Sequence, residues 1–286
     1  MISESYPAVA EGRNPNRKFE FLAYWVIGCG ALMVVLPFFW MVTTSFKDPG
    51  AIFAFPPKWL PIPFTIRNYH EALTALPFNR FLLNTAFIAA VIVLGQILSC
   101  TLGAYAFAKL KFPGADLIFS MYLSTLMVPE IVTIIPNFIL IKSLRWIDTY
   151  QALIVPNLFG TAFGTFLLRQ FFTGIPNELI EASKLDGCGV LRIIFRVVVP
   201  LSKPALTSLG IFTLVKVWND FMWPLTVVNS TEMKTLAIGL TSFQGLVVNN
   251  WGVVMAGAVY TMIPLVVVFL CAQKYFIEGI TLTGMK

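Results

Sequence analysis

The sequence predicts an all-α, polytopic integral membrane protein with six transmembrane helices, and three observations carry that expectation. Hydrophobic residues make up 57% of the 286 and charged residues only 12%, a balance too apolar for a water-soluble domain of ordinary make-up. Largely uncharged runs of about the 20 residues that a bilayer core demands recur along the chain. None of these runs shows the short alternating pattern of a transmembrane barrel strand, so helices are expected.

The first run, Phe21–Val42, follows a basic tail holding Arg13, Arg17 and Lys18. "VIGC" (26–29) sits where a cleaved leader could end, but the apolar run continues to Val42. That is too long for a signal-peptide core, so the segment is read as an uncleaved first span. Residues 45–80 then form a long connection whose prolines forbid a continuous helix until "IRNYHEAL", which reads as a short helix within a surface lid. Leu82–Ala108 and Leu117–Ile141, the latter containing Glu130, are the second and third spans. The turn "KLKFPGAD" (109–116) makes them antiparallel neighbours. Ala152–Leu168 is the fourth span, a fifth lies around Ala205–Val228, and Trp251–Gln273 is the sixth. No repeat of 20–50 residues interrupts this pattern. One membrane domain is therefore expected over 21–275, with tails at 1–20 and 276–286.

Lys and Arg set the orientation. With the N-terminus cytoplasmic, twelve basic residues face the cytoplasm (Arg13, Arg17, Lys18, Lys109, Lys111, Arg169, Lys184, Arg192, Arg196, Lys203, Lys274 and Lys286). Seven face outward, namely Lys47, Lys58, Arg67, Arg80, Lys142, Arg145 and Lys234, so both termini are expected on the cytoplasmic side. The net charge of +6 follows from this topology. No basic stripe interleaved with aromatics is present, so nucleic acid is not an expected partner. Cys29, Cys100, Cys188 and Cys271 are scattered and read as free thiols, and with His70 the only histidine no metal-ligand spacing exists.

Between spans four and five, residues 174–204 form a charged elbow of two short helices. Pro176 and Asn177 signal a start, with Asn177 as N-cap and with Glu178 and Glu181 in the first turn, where negative charge suits the helix dipole. Gly187 and Gly189 stop that helix. The chain resumes as an amphipathic stretch with Arg192 and Arg196 at i,i+4, until Pro200 and Pro204 break it.

These residues resemble the "EAA loop" of ABC importer permeases. The pattern stands here as Glu181-Ala182-Ser183, Lys184-Leu185-Asp186, Gly187, nine residues, then Val197-Val198-Val199-Pro200, with small departures at Ser183, Val197 and Val199. The likeness extends through "NYHEAL" (68–73), "LMVPEIVTIIPNF" (126–138), "FLLRQFF" (166–172), "VWNDFMWPL" (217–225), "KTLAIGL" (234–240) and the tail "YFIEGITLTGMK". It is closest to the carbohydrate branch, to the smaller permease subunit of maltose-type importers. The resemblance implies a type I importer permease fold in a bacterial or archaeal cytoplasmic membrane. It also implies a second permease subunit as heterodimer partner, two ATP-binding cassette subunits that use ATP and Mg, and an extracytoplasmic solute-binding protein docking on segments 45–80 and 230–250. Glu178, Glu181, Ala182, Ser183, Leu185, Asp186, Gly187 and Pro200 would then couple the ATPase to the spans. The tail residues Gly279, Gly284 and Lys286 would supply a second ATPase contact, the alternative being a frayed end. The chain itself has no phosphate loop, lacking even a Gly-Lys dipeptide, so it is expected to bind no cofactor and to catalyse no reaction.

Charged groups at membrane depth point to function by default. Glu130, Lys216 and Asp220 are the three here, and Lys216 and Asp220, four apart, could pair on one helical face. Alternatively Asn219 and Asp220 face a polar path, with Trp218 or Trp223 stacking a sugar ring whose hydroxyls donate to their oxygens. Glu130 could line the same path or sit near the external interface. Lys216 departs from the small residue common in the family, and a cation there would suit a glycerol phosphate or sugar acid instead of a neutral oligosaccharide or polyol glycoside. Gln96, Asn84 and Asn137 are polar groups that helix packing alone can explain. A self-powered secondary transporter is the competing class, and it would show repeated halves and broken helices around an ion site.

Overall fold

The computed structural model describes residues 17–246 and 250–283, and every regular element among them is helical. The first helix, α1 (Arg17–Ser45), exposes apolar side chains along most of its length, Leu32 and Met33 among them. A helix apolar on all sides belongs in hydrocarbon or against other spans. The short helices α2 (Pro49–Ile52) and α3 (Arg67–Ala75) follow, the latter where "IRNYHEAL" predicts it. Next comes α4 (Phe78–Lys109), whose 32 residues extend about 48 Å at 1.5 Å per residue and form the spine of the molecule.

Beyond the turn at Gly114 lie α5 (Ala115–Ser124), α6 (Glu130–Ser143), α7 (Tyr150–Leu158) and α8 (Ala162–Thr173). The elbow comprises α9 (Asn177–Leu185), α10 (Val190–Ile193), a π-helical turn over Ile194–Val198 and the single turn α11 (Val199–Leu201). The remainder is α12 (Lys203–Trp218), α13 (Met222–Val227), α14 (Leu236–Leu246) and α15 (Trp251–Thr283).

Spans one, two and six are continuous helices long and apolar enough to cross a membrane: Glu20–Ser45, Phe78–Lys109 and Trp251–Lys274. The third and fourth are broken. Ala115–Met127 meets Glu130–Ser143 at 96°, where Pro129 removes an amide donor and disfavours helix at Val128, and α7 meets α8 at 41°. The fifth departs furthest from expectation. Its helix ends at Trp218, well before Val228, and the stretch Val190–Leu201 joins it at 85°.

The two ends of α4 define the two ends of the protein. At its N-terminal end the lid segment is tied down by Asn68, which is buried and donates through Nδ2 to the carbonyls of Ser45 (2.9 Å) and Lys47 (2.8 Å). The start of α15 is at the same place, since a Cβ on Gly252 would fall 2.6 Å from Asn68. The C-terminal end of α1 and the start of α15 thus meet at the lid. Much of the predicted external segment 230–250 is drawn inward, because Leu236 and Phe243 of α14 are buried with Phe78 and Phe81 of α4. At the other end of α4, Tyr105 is buried with Phe172, Ile180, Ile193 and Val198, so the elbow has its own apolar anchor.

Candidate functional site

Three helix breaks meet at one cavity of about 540 Å³. Glu130 opens α6 directly after the Pro129 break, Asn157 lies just before the gap between α7 and α8, and Asn219 and Asp220 occupy the gap between α12 and α13. Thr133 and Asn137 of α6, Lys216 of α12 and Trp223 of α13 complete its polar and aromatic lining. Five of the six residues predicted for a substrate path are therefore brought together from positions up to 93 apart in sequence.

The sixth is not. Trp218 turns away, donating through Nε1 to the carbonyl of Thr261 on α15 (3.1 Å) and packing with Phe78 and Ala256. Trp223 lines the cavity but is largely buried, held by an Nε1 bond to the carbonyl of Ala152 (2.9 Å). Of the two alternatives for Lys216 and Asp220, the mutual pair is not formed. Lys216 forms its ion pair with Glu130, 86 residues away. Asp220 instead accepts through Oδ1 from the backbone N–H of Trp223 (3.3 Å), tethering the first turn of α13. The reason is geometric: i,i+4 pairing needs a continuous helix, and α12 ends two residues before Asp220.

Gln96 holds the wall behind the cavity. Buried in α4, it donates through Nε2 to the carbonyl of Asn157 (2.8 Å), and its Oε1 accepts from Thr213 Oγ1 of α12 (3.0 Å). Beside it, Gly95 lets α4 touch the end of α7, since a Cβ there would lie 2.6 Å from the carbonyl oxygen of Leu158. Toward the lid, Asn84 donates to the carbonyls of Glu232 and Lys234 and accepts from Tyr150 Oη. Asp148 accepts from the amides of Asn229 and Ser230 and from the Ser230 hydroxyl, each at 3.0 Å. Sequence reasoning reads Gln96 and Asn84 as packing groups only. Their partners are backbone carbonyls and hydroxyls 61 to 150 residues away, which no local spacing reveals.

The elbow is built differently. Asn177 does not cap α9; Pro176 occupies the cap position, and Asn177 Oδ1 accepts from Lys109 Nζ (2.9 Å), which also reaches the carbonyl of Ile175 (2.6 Å). The last residue of the spine therefore grips the start of the elbow. Gly187 closes α9 with φ +76°, a left-handed conformation that allows Cys188 N–H to bond the carbonyl of Ser183 (3.0 Å). Ile180 is buried, whereas Glu178, Glu181, Ala182, Asp186 and Pro200 are exposed and Leu185 is 89% exposed. Ser183 is half-buried and bonds back to the carbonyl of Leu179 (2.7 Å). Gly279 falls within α15, while Gly284, Lys286 and the tail 1–16 lie outside the described residues.

A family model described as "Binding-protein-dependent transport system inner membrane component" matches residues 99–281. The chain belongs to this family. Both the cavity and the elbow fall inside the matched region of this inner membrane component. The chain is 33% identical over 273 residues to the sn-glycerol-3-phosphate transport system permease protein UgpE of Yersinia pestis bv. Antiqua (strain Antiqua), covering 93% of this chain and 97% of that one. It is also 33% identical, over 281 residues, to the arabinooligosaccharides transport system permease protein AraQ of Halalkalibacterium halodurans, covering 95% and 99%. A solved chain of a bacterial ABC transporter involved in the import of the acidic polysaccharide alginate superposes with a TM-score of 0.80 at 24% identity, over 96% of this chain and all of that one. At that identity the likeness establishes the fold, which is that of an ABC importer permease.

Proposed function

We propose that this chain is one of two permease subunits of an ATP-driven importer for a carbohydrate or related polyol. ATP is hydrolysed with Mg by a pair of separate cassette subunits that the 174–204 elbow contacts. The observation that carries the reading is the divided character of that elbow. Ile180 anchors it in the membrane domain, Lys109 clamps its start, and Leu185 stands at its tip with Glu178, Glu181 and Asp186 beside it. A nearly bare leucine on a short helix held at its base is suited to seating in another protein's cleft. Such a helix also passes rigid-body motion to α8 and α12 better than a loose loop would.

The chain lacks a phosphate loop, which fits an energy source on a partner. The excess of Lys and Arg on the elbow side supports a cytoplasmic position for that side and for both termini. In this reading Gly279, Gly284 and Lys286 supply a second ATPase contact. An external binding protein would deliver solute at the lid end. Transport proceeds by alternating access, in which ATP binding shifts the population toward the outward-facing state. The names of the relatives, a glycerol phosphate system and an arabino-oligosaccharide system, support a hydroxyl-rich cargo.

Co-expression of the chain with its genomic neighbours, followed by purification on a tag carried by this subunit, tests the reading. A cassette ATPase should copurify, and Glu181→Lys or Gly187→Asp should reduce ATP-dependent uptake at least tenfold while the permease remains in the membrane. Recovery of the chain without an ATPase, or unchanged uptake in both variants, overturns it.

A further inference from the structure

The elbow says nothing about cargo, but the charge arrangement in the cavity does. Among the described residues that line it, Lys216 is the only cation, and it is met by Glu130 across the α6–α12 boundary. Asp220 lies in the same cavity and is tied to an amide of α13, so the carboxylates outnumber the cation. The remaining polar groups are the amides Asn137, Asn157 and Asn219 and the hydroxyl of Thr133, with the Trp223 ring as an apolar face. Amides and carboxylates accept from hydroxyls, whereas a phosphate or uronate needs unspent donors with positive charge.

Building on the carbohydrate reading above, we infer that Glu130 is a specificity-determining residue: by occupying Lys216 it makes the cavity a passage for uncharged polyhydroxyl solutes and turns away phosphorylated or acidic ones. Lys216, which by itself suggests an anionic cargo, is thereby removed from contact with one. An ion pair as exposed as this one, with side chains 53% and 77% accessible, contributes little stability. Its consequence is the local potential.

That potential can be read without knowing the solute. A single reporter, Thr133→Cys, one turn from Glu130 on α6, is placed in the assembled importer after Cys29, Cys188 and Cys271 are replaced by Ser. Cys100 is buried and stays. Its reaction rates with a cationic and an anionic methanethiosulfonate are compared, each normalised to a free thiol in solution. The parent should favour the cationic reagent or show no preference. Glu130→Gln should move the ratio toward the anionic reagent about fivefold, the effect of one charge at roughly 9 Å in water on reagents that differ by two charges. Glu130→Gln with Asp220→Asn should move it further, and Lys216→Met should move it the opposite way. A parent that favours the anionic reagent overturns the inference, as does a shift below twofold in Glu130→Gln. So does a reporter that neither reagent reaches while a control at Phe55→Cys, 96% exposed in the lid segment, reacts, because the cavity would then not be an aqueous passage. No sugar enters this assay. The predicted ratios in a protein that imports no carbohydrate would sink the reading above and leave the charge assignment; flat ratios in a working sugar importer would do the reverse.

Discussion

The elbow and the cavity lie on the same chain and are both made from interrupted helices, yet they are held in opposite ways. The elbow is a largely local object: its helix, its glycine stop and its anchor Ile180 all lie within 177–200, and it meets the rest of the chain at its base, where Lys109 pins its start and Ile180 packs with Tyr105 and Phe172. The cavity has almost no local structure of its own. Its walls are the loose ends of α6, α7, α12 and α13, and they are fixed by side chains from α4 and from loops 60 to 150 residues away. Damage to the elbow should therefore stay at the elbow and appear as lost coupling, while damage to the cavity's supports should spread through the spans.

Ile180→Ala breaks the comparison most severely on the elbow side. Ile180 is 4% exposed within the cluster containing Tyr105, Phe172 and Val198, and a large-to-small change there costs about 3 kcal/mol. The elbow should lose its fixed seat, so that the permease still inserts but protease cuts near Gly187 and the ATPase no longer copurifies. Resistance to protease with intact copurification would show that the elbow does not depend on this anchor. Gln96→Leu is the counterpart for the cavity. It strips partners from the Asn157 carbonyl and the Thr213 hydroxyl, a loss of about 2 kcal/mol that should lower the thermal midpoint and alter thiol accessibility at Thr133→Cys. Elbow protease sensitivity should not change, and if it does the two regions are not separable.

A smaller effect sharpens the contrast. A Cβ on Gly187 would meet nothing within 4 Å, so Gly187→Ala introduces no clash and costs only the left-handed backbone penalty, about 1 kcal/mol. Global stability should barely move. Uptake should fall severalfold nonetheless, because the turn that aims Leu185 and Asp186 is distorted. Gly95 is the opposite case: its backbone needs no special conformation, and any side chain would collide with the α7 carbonyl at Leu158.

The same difference explains what the sequence disclosed. The elbow was legible because its determinants are near one another: a proline, a carboxylate turn, a glycine at the stop and a second proline fall within 25 residues. Its cap was misread, since Asn177 gave its side chain to Lys109 on another helix, and Glu181 lies past the first turn, while Pro200 and Pro204 fall inside the first turns of α11 and α12 with the break at Ser202 between them. In the cavity, residue type was legible and pairing was not. Charge within apolar runs marked Glu130, Lys216 and Asp220, but the helix boundary at Trp218 separates Lys216 from Asp220 and frees it for a partner that only the fold supplies. Trp218 failed for a related reason. Trp218 is the last residue of α12 and Trp223 lies on α13, so the break between these helices, invisible in "VWNDFMWPL", sends the two rings to different partners.

Asp148 gives the smallest expected effect and the one most specific to the cavity. Partial burial raises its proton affinity, but the amides of Asn229 and Ser230 and the Ser230 hydroxyl outweigh that and hold the carboxyl below its ordinary 3.8. A group whose pKa is lowered in the folded state contributes stability at pH above its unfolded value, and the contribution fades as pH falls through the folded one. The tie between the α6–α7 connection and the segment after α13 should therefore hold without change from pH 8 to about 5 and weaken only below about pH 4. Asp148→Asn keeps a side chain that tolerates the left-handed backbone at this position, φ +62°, and removes the titration. Its thermal midpoint should be slightly lower at neutral pH, and the gap to the parent should close as both are acidified. Curves that stay parallel to pH 3.5 would mean that Asp148 does not hold the lid end of the cavity through its charge. The lowered pKa would then be a by-product of a turn rather than a fastening between the broken spans.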